Sequence, residues 1–181
     1  MTPEQEKLIL ALAHGADGRR DITPEQFLHR FGADDGKALG LSLLRDAIAR
    51  QYGDGVELAL IVSAAFGLTP EHYGLFKELC YADWHTTHED VVSALGEWRD
   101  PDSVDTLLHM ADWVPDYLDY DEARALATKA VWALGGIPGP EADRALERLR
   151  EEDDPIVRGE AERQIARRTA QDRPRHPRAA G

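Results

Sequence analysis

Two stretches hold side chains whose types and spacing can do chemistry. The first is Trp84-His85-Thr86-Thr87-His88-Glu89-Asp90. On a helix, His85, His88 and Glu89 fall at i, i+3 and i+4, so two imidazoles and a carboxylate can face one metal ion. A simpler reading makes the same residues a helix start. Thr87 then caps, and Glu89 and Asp90 sit in the first turn, where carboxylates meet the positive helix end. On that reading no metal is expected, and His85, His88 and Glu89 stand as the alternative.

The second stretch, Asp112 to Glu122, alternates acids with large aromatics. Aromatic side chains supply contact area at low entropy cost, and carboxylates pair with Lys or Arg across an interface. Trp113, Asp116, Tyr117, Asp119, Tyr120, Asp121 and Glu122 are therefore the candidate partner-binding residues. The competing reading is structural: Trp113, Tyr117 and Leu118 tuck under the loop as a plug, while Asp119 and Glu122 cap the next helix.

Elsewhere the chemistry is thin. Gly40-Leu41-Ser42-Leu43 lacks the closing glycine of a nucleophile elbow, and there is no phosphate loop or dinucleotide fingerprint. Cys80 lies in an apolar helix and reads as core. Glu151-Glu152-Asp153-Asp154 reads as a solvated, capping turn. Trp98 and Trp132 fall beside apolar stripes and read as interhelical packing. No catalytic residue and no cofactor are expected, so the protein reads as a non-enzyme.

Composition narrows the partner. The 181 residues carry a formal net charge of −13. The stretch from Thr169 to Gly181 sets Arg173, Arg175 and Arg178 against Asp172, which is +2 and leaves −15 on the rest. Such a field disfavours nucleic acid and anionic membrane and suits a basic protein. One cysteine allows no internal disulfide and no thiolate zinc cluster. Met1-Thr2-Pro3-Glu4 is acidic and lacks a basic-then-apolar leader, no uncharged apolar run reaches spanning length, and a cytoplasmic location is expected. Asparagine is absent and arginine outnumbers lysine, as GC-rich bacterial coding produces.

The elements that must position these residues are all helical. Thr2-Pro3-Glu4, Thr23-Pro24-Glu25, Thr69-Pro70-Glu71, Asp100-Pro101-Asp102 and Gly139-Pro140-Glu141 share one start signal. A cap residue takes an amide, proline sets the first helical φ, and a carboxylate meets the dipole. Gln5 and Gln26 stand at capping-box positions. The spacing predicts helices over 3–14, 24–31, 35–52, 55–67, 70–82, 88–98, 101–112, 121–135, 140–151 and 155–169. Val56–Phe66 is apolar on nearly every side, which predicts a helix buried all round. Gly135-Gly136 is expected to stop its helix by entering the left-handed conformation. The arginine-rich end has no apolar stripe, and 169–181 is expected to be a disordered basic tail.

The second half repeats. Ala94-Leu95-Gly96-Glu97-Trp98-Arg99-Asp100-Pro101 aligns with Ala133-Leu134-Gly135-Gly136-Ile137-Pro138-Gly139-Pro140, and Leu107 then falls on Leu146. A shorter step lays Glu160-Ala161 on Lys129-Ala130 and Ile165 on Leu134. The segment Asp112–Asp119 is an insertion in this pattern. Ala130, Ala133, Leu134, Gly135, Ile137, Pro140, Glu141, Ala142, Leu146 and Leu149, continued by Asp153-Asp154-Pro155-Ile156-Val157-Arg158 and Ala161, resemble HEAT-type repeats. The likeness is to the short kind found in phycobilin-lyase-like bacterial proteins, and it covers about 87–168.

That resemblance implies an all-α fold in which antiparallel helical hairpins stack as a short right-handed α-solenoid. One domain is expected over 1–168, with 1–86 divergent and 87–168 carrying the clearer repeats. Repeat proteins place insertions on a binding face. More broadly, Phe66-Gly67-Leu68-Thr69 and Ala82-Asp83-Trp84-His85 look like small bacterial HEAT proteins encoded near polymorphic toxins and thought to be immunity proteins. This implies a basic toxin as partner and inhibition by occlusion. Some HEAT-repeat hydroxylases hold di-iron through several His-Glu pairs. His88-Glu89 looks like one such pair, but the sequence has no second. The alternatives are a metal-dependent or lyase-like enzyme on the same scaffold, and a general adaptor. Arg158, Arg163, Arg167 and Arg168 make the last helix a polar cap, which favours a monomer.

Overall fold

The computed structural model of the chain describes residues 1–13 and 21–172. These residues form α-helices and short 3-10 turns, with no strand among them. The helices are α1 (Pro3–Leu12), α2 (Pro24–Phe31), α3 (Gly36–Arg50), α4 (Gly53–Phe66), α5 (Pro70–Leu79), α6 (His88–Gly96), α7 (Val104–Asp112), α8 (Ala125–Gly136), α9 (Pro140–Leu149) and α10 (Pro155–Asp172). The fold is all-α. No helix among the described residues is long and apolar enough to cross a membrane. α10 carries the chain through Asp172, so 169–172 are helical, and the rest of the expected tail lies outside the described residues.

The start signals work as their chemistry requires. Thr2 and Thr23 each form a reciprocal box with the glutamine three residues on; the Thr23 amide donates to Gln26 Oε1 at 3.0 Å and Gln26 N–H returns to Thr23 Oγ1 at 3.2 Å. At α5 a histidine takes the glutamine's place, and the Thr69 amide donates to His72 Nδ1 at 3.0 Å. Asp100 caps only a 3-10 turn, Pro101–Ser103, which leads into α7.

Two compact units divide the chain, Met1–Val91 and Val92–Gly181. In the first, α4 packs against α3 and α1. Leu58 and Val62 join Ile9, Leu12, Ile22 and Phe27 in one core cluster. The expectation that α4 is buried all round is too strong. Asp54, Glu57 and Ala64 are exposed and Leu60 and Ile61 half-buried, because neighbours cover α4 on some sides only. α3 and α4 approach through small residues. A Cβ on Gly40 would stand 2.7 Å from Ser63 Oγ and 3.3 Å from the Ser63 backbone.

In the second unit α8 packs against α7, α9 and α10, and α9 also meets α7 and α10. Of the apolar stripes at helical spacing in α8, α9 and α10, Leu126, Ala130, Val131, Leu134, Ala142, Ala145, Leu146, Leu149, Val157 and Ala161 are buried, while Ala125 and Ile165 are half-buried. Gly96 faces Ala133, where a Cβ would lie 2.8 Å from the alanine Cβ, and Gly135 faces the Gln164 side chain. The expected role of Gly135-Gly136 is corrected here. Both stay within α8, neither has positive φ, and the chain turns instead at Gly139, whose φ is 102°. Gly135 is small because α10 passes over it.

The end of α8 is closed by an arginine from α10. Arg168 donates to the carbonyls of Leu134, Gly135 and Ile137, and its guanidinium lies 2.8 Å from Asp143 Oδ1. A cation at a helix C-terminus satisfies orphan carbonyls and meets the negative dipole end.

Candidate functional site

The acidic–aromatic insertion is an ordered turn between α7 and α8. α7 ends where Trp113 N–H donates to His109 O at 2.9 Å, and the Trp113 and His109 rings stack with centroids 5.7 Å apart. Pro115 is buried, and a 3-10 turn follows over Asp116–Leu118. Leu118 N–H donates to Pro115 O at 2.8 Å and Asp121 N–H to Leu118 O at 3.0 Å. Asp121 then ends the loop, accepting from Ala123 N–H at 3.1 Å and from Ala125 N–H at 2.7 Å. Those bonds account for the late start of α8 at Ala125 rather than 121.

The turn has two sides with different chemistry. Trp113, Pro115 and Leu118 line a shallow, open dimple with Arg124, Leu126 and Ala127, with room for little more than a water molecule. It is far too small for the concave sites that bind small molecules. The other side faces water. Asp116, Asp119 and Glu122 are exposed, and Tyr120 between them is 77 % exposed. Asp112 is ion-paired to Arg148 at 2.7 Å. Of the seven candidate residues, Asp116, Asp119, Tyr120 and Glu122 therefore lie together at the surface. Trp113 and Tyr117 are half-buried, and Asp121 is engaged by backbone amides. The cap falls to Asp121, not to Asp119 and Glu122.

His85, His88 and Glu89 do not gather around an ion site. His85 Nε2–H donates to Leu79 O at 2.9 Å, and its Nδ1 accepts from Thr87 N–H at 3.2 Å. His88 Nε2–H donates to Ala82 O at 2.8 Å. The two rings are buried and stack at 4.0 Å. These imidazoles tie the turn after α5 to the start of α6. Burial holds His85 below the ordinary histidine range, so it is neutral near pH 7. Among the described residues no group of three or more His, Cys, Asp or Glu is placed to hold a metal.

Cys80 is fully buried and its thiol is pushed up to about 12 by burial, so it is inert core. Trp132 is 55 % exposed, and it meets the neighbouring helix through its indole N–H, which donates to Glu160 Oε2 on α10 at 2.8 Å. Glu160 is also bound by Arg163, which more than anything else holds its carboxyl below the usual range. Neither Arg124 nor His72 was marked by any motif; only a cation next to an aspartate-rich turn, and a histidine at a capping-box position, hinted at their roles.

Compared with protein-family models, with curated proteins and with solved structures, the chain matches none.

Proposed function

We propose that the chain is a non-enzymatic binding module that offers the outer side of the Asp112–Glu122 turn to a basic protein surface. One observation carries this reading. Tyr120, the most exposed large hydrophobic side chain among the described residues, stands among the exposed Asp116, Asp119 and Glu122 on a hydrogen-bonded turn. An aromatic anchor ringed by like charges suits a partner with Lys or Arg around an apolar notch. The held backbone lowers the ordering cost of binding.

The scaffold under this turn is proposed to be a short right-handed HEAT-like stack. Support comes from the repeat register. The alignment that lays Gly96 on Gly135 makes Gly96 meet Ala133 and Gly135 meet Gln164. The shorter step of the sequence repeat lays Gln164 on Ala133. The glycine of each unit thus meets the same position of the next, which is how a stack of like units is built. The likeness to immunity proteins narrows the partner to a toxin whose own substrate is an anion, such as a nuclease. An acidic turn occludes such a site by replacing that substrate.

The test captures the partner with the wild-type protein from its own cells, identifies it, and titrates the purified partner against wild type and the triple variant Asp116→Lys, Asp119→Lys, Tyr120→Ala. Affinity is expected to fall at least about a hundredfold, as loss of one anchor and two charges implies, and the wild-type affinity to fall with added salt. Equal affinity of the triple variant removes this turn from the interface. Trp113 is left intact because it is half-buried and its loss disturbs the fold.

A further inference from the structure

The docking turn is not self-supporting. Its closing residue, Arg124, has φ 52° and ψ 45°, a left-handed conformation that costs energy for any residue with a Cβ. Three contacts hold it there. Its backbone N–H donates to Asp121 O at 3.1 Å. Its Nη2 donates to Ala111 O, in the last turn of α7, at 3.2 Å. Its Nε is buried and lies 3.0 Å from Asp154 Oδ2, an ion pair in which the N–H is not aligned with the carboxylate. Asp154 belongs to the turn between α9 and α10, where its Oδ1 caps α10 by accepting from Ile156 N–H at 2.9 Å and Val157 N–H at 3.4 Å.

We propose that Arg124 is the positioning residue that presets the Asp112–Glu122 turn, locking it to the end of α7 and to the α10 cap through one guanidinium. This inference rests on the reading of that turn as the docking surface and adds how its display is fixed. The guanidinium fork suits the role, because one planar cation reaches a carbonyl and a carboxylate in two directions, which an ammonium on a flexible stem does not. The strained backbone is held by those side-chain contacts. Losing them frees the turn and removes the pre-organisation on which tight binding depends.

Two variants test this without removing a helix cap. Asp154→Asn keeps an Oδ1-type acceptor for α10, since asparagine caps as well as aspartate, but removes the charge facing Arg124. Arg124→Gly keeps the left-handed backbone and removes the side chain. Hydrogen exchange of the amides of 113–122 is measured alongside affinity for the purified partner. Both variants are expected to accelerate exchange in the turn about tenfold, while the amides of α9 and of α10 beyond its first turn stay unchanged, as for a local opening. Affinity is expected to fall about tenfold through faster dissociation. Arg124→Lys should recover only part of either effect. Unchanged exchange in the turn in both variants overturns the inference, whatever binding does. Faster exchange with undiminished affinity upholds Arg124 as the positioning residue and overturns the docking role of the turn.

Discussion

Among the described residues, the buried polar side chains of Met1–Val91 are Ser63, His72, His85 and His88, whereas Val92–Gly181 closes its helix ends and turns with arginines. In the first unit, neutral imidazoles join consecutive helices. His72 Nδ1 takes the Thr69 amide at the head of α5, and its Nε2–H donates to Ser63 Oγ on α4 at 3.2 Å, which fixes the tautomer. In the second, guanidinium groups reach over the chain. Arg168 closes α8, Arg158 donates to the carbonyls of Glu152 and Asp153, and Arg124 ties a loop to a distant cap. A histidine that accepts a backbone amide, as His72 and His85 do, makes that bond only while uncharged; arginine donates at every ordinary pH. The difference therefore separates the two units by their response to acid.

The largest expected effect breaks the arginine side of the comparison. Arg168→Met removes the guanidinium donor from the Gly135 and Ile137 carbonyls at the end of α8, while Leu134 O keeps the Ile137 N–H, and should cost about 2 kcal/mol. Denaturant unfolding measures the loss, and hydrogen exchange should place it in α8 and α10. Unfolding that begins equally in α1–α4 contradicts the assignment.

Next come the close helix contacts. Gly40→Ala drives a Cβ toward the Ser63 backbone, which cannot move alone, and should cost about 1–2 kcal/mol net of the helix propensity gained. Gly135→Ala meets the buried Gln164 side chain from Cγ to Oε1, which a rotamer change can move where a backbone cannot, so it should cost about 1 kcal/mol and less than Gly40→Ala. A reversed order of the two midpoints would mean that the backbone approach is not what limits α3 against α4.

A smaller effect sharpens the histidine side. Burial, the largest cause, lowers His72, and burial also lowers His85. The folded protein then binds these protons less readily than the unfolded chain. Their contribution is complete above the ordinary histidine value near 6.5 and is lost as pH falls below it toward the folded values. Each such group tilts stability by at most about 1.4 kcal/mol per pH unit. His72→Gln, which restores the box used at Thr2 and Thr23, should flatten the slope between pH 7 and 5 while lowering stability at pH 7 through the lost Ser63 contact. An unchanged slope, read from denaturation midpoints, removes His72 from the acid response.

The smallest effect concerns the exposed side of the Asp112–Glu122 turn. Asp116→Lys, Asp119→Lys and Tyr120→Ala should each shift stability by less than about 0.5 kcal/mol, since none is buried. A larger loss would make that surface structural.

Sequence alone reached far where the signal is local. Thr-Pro-Glu starts, glutamines at capping-box spacing and apolar stripes at helical period determine where most helices lie, because each acts within one or two turns. The same locality explains what was misread. A double glycine reads as a helix stop, but whether Gly135 bends the chain or lets α10 pass depends on a residue almost thirty positions away. Trp113 and Tyr120 are alike as letters, and only the covering pocket makes one half-buried and the other the tip. His85 and His88 hold metal-ligand spacing, yet the carbonyls of Leu79 and Ala82 claim their Nε2 protons.

What the chain determined by itself is therefore an all-helical protein with a net acidic charge and one acidic–aromatic turn set into a repeating pattern, since capping, periodicity and charge are properties of neighbouring residues. What only the tertiary structure decided is which side of that turn meets water, and that the Arg124 guanidinium lies between Ala111 O and Asp154. Both depend on positions distant in sequence, Ala111 and Asp154 among them, and no local rule brings those two together.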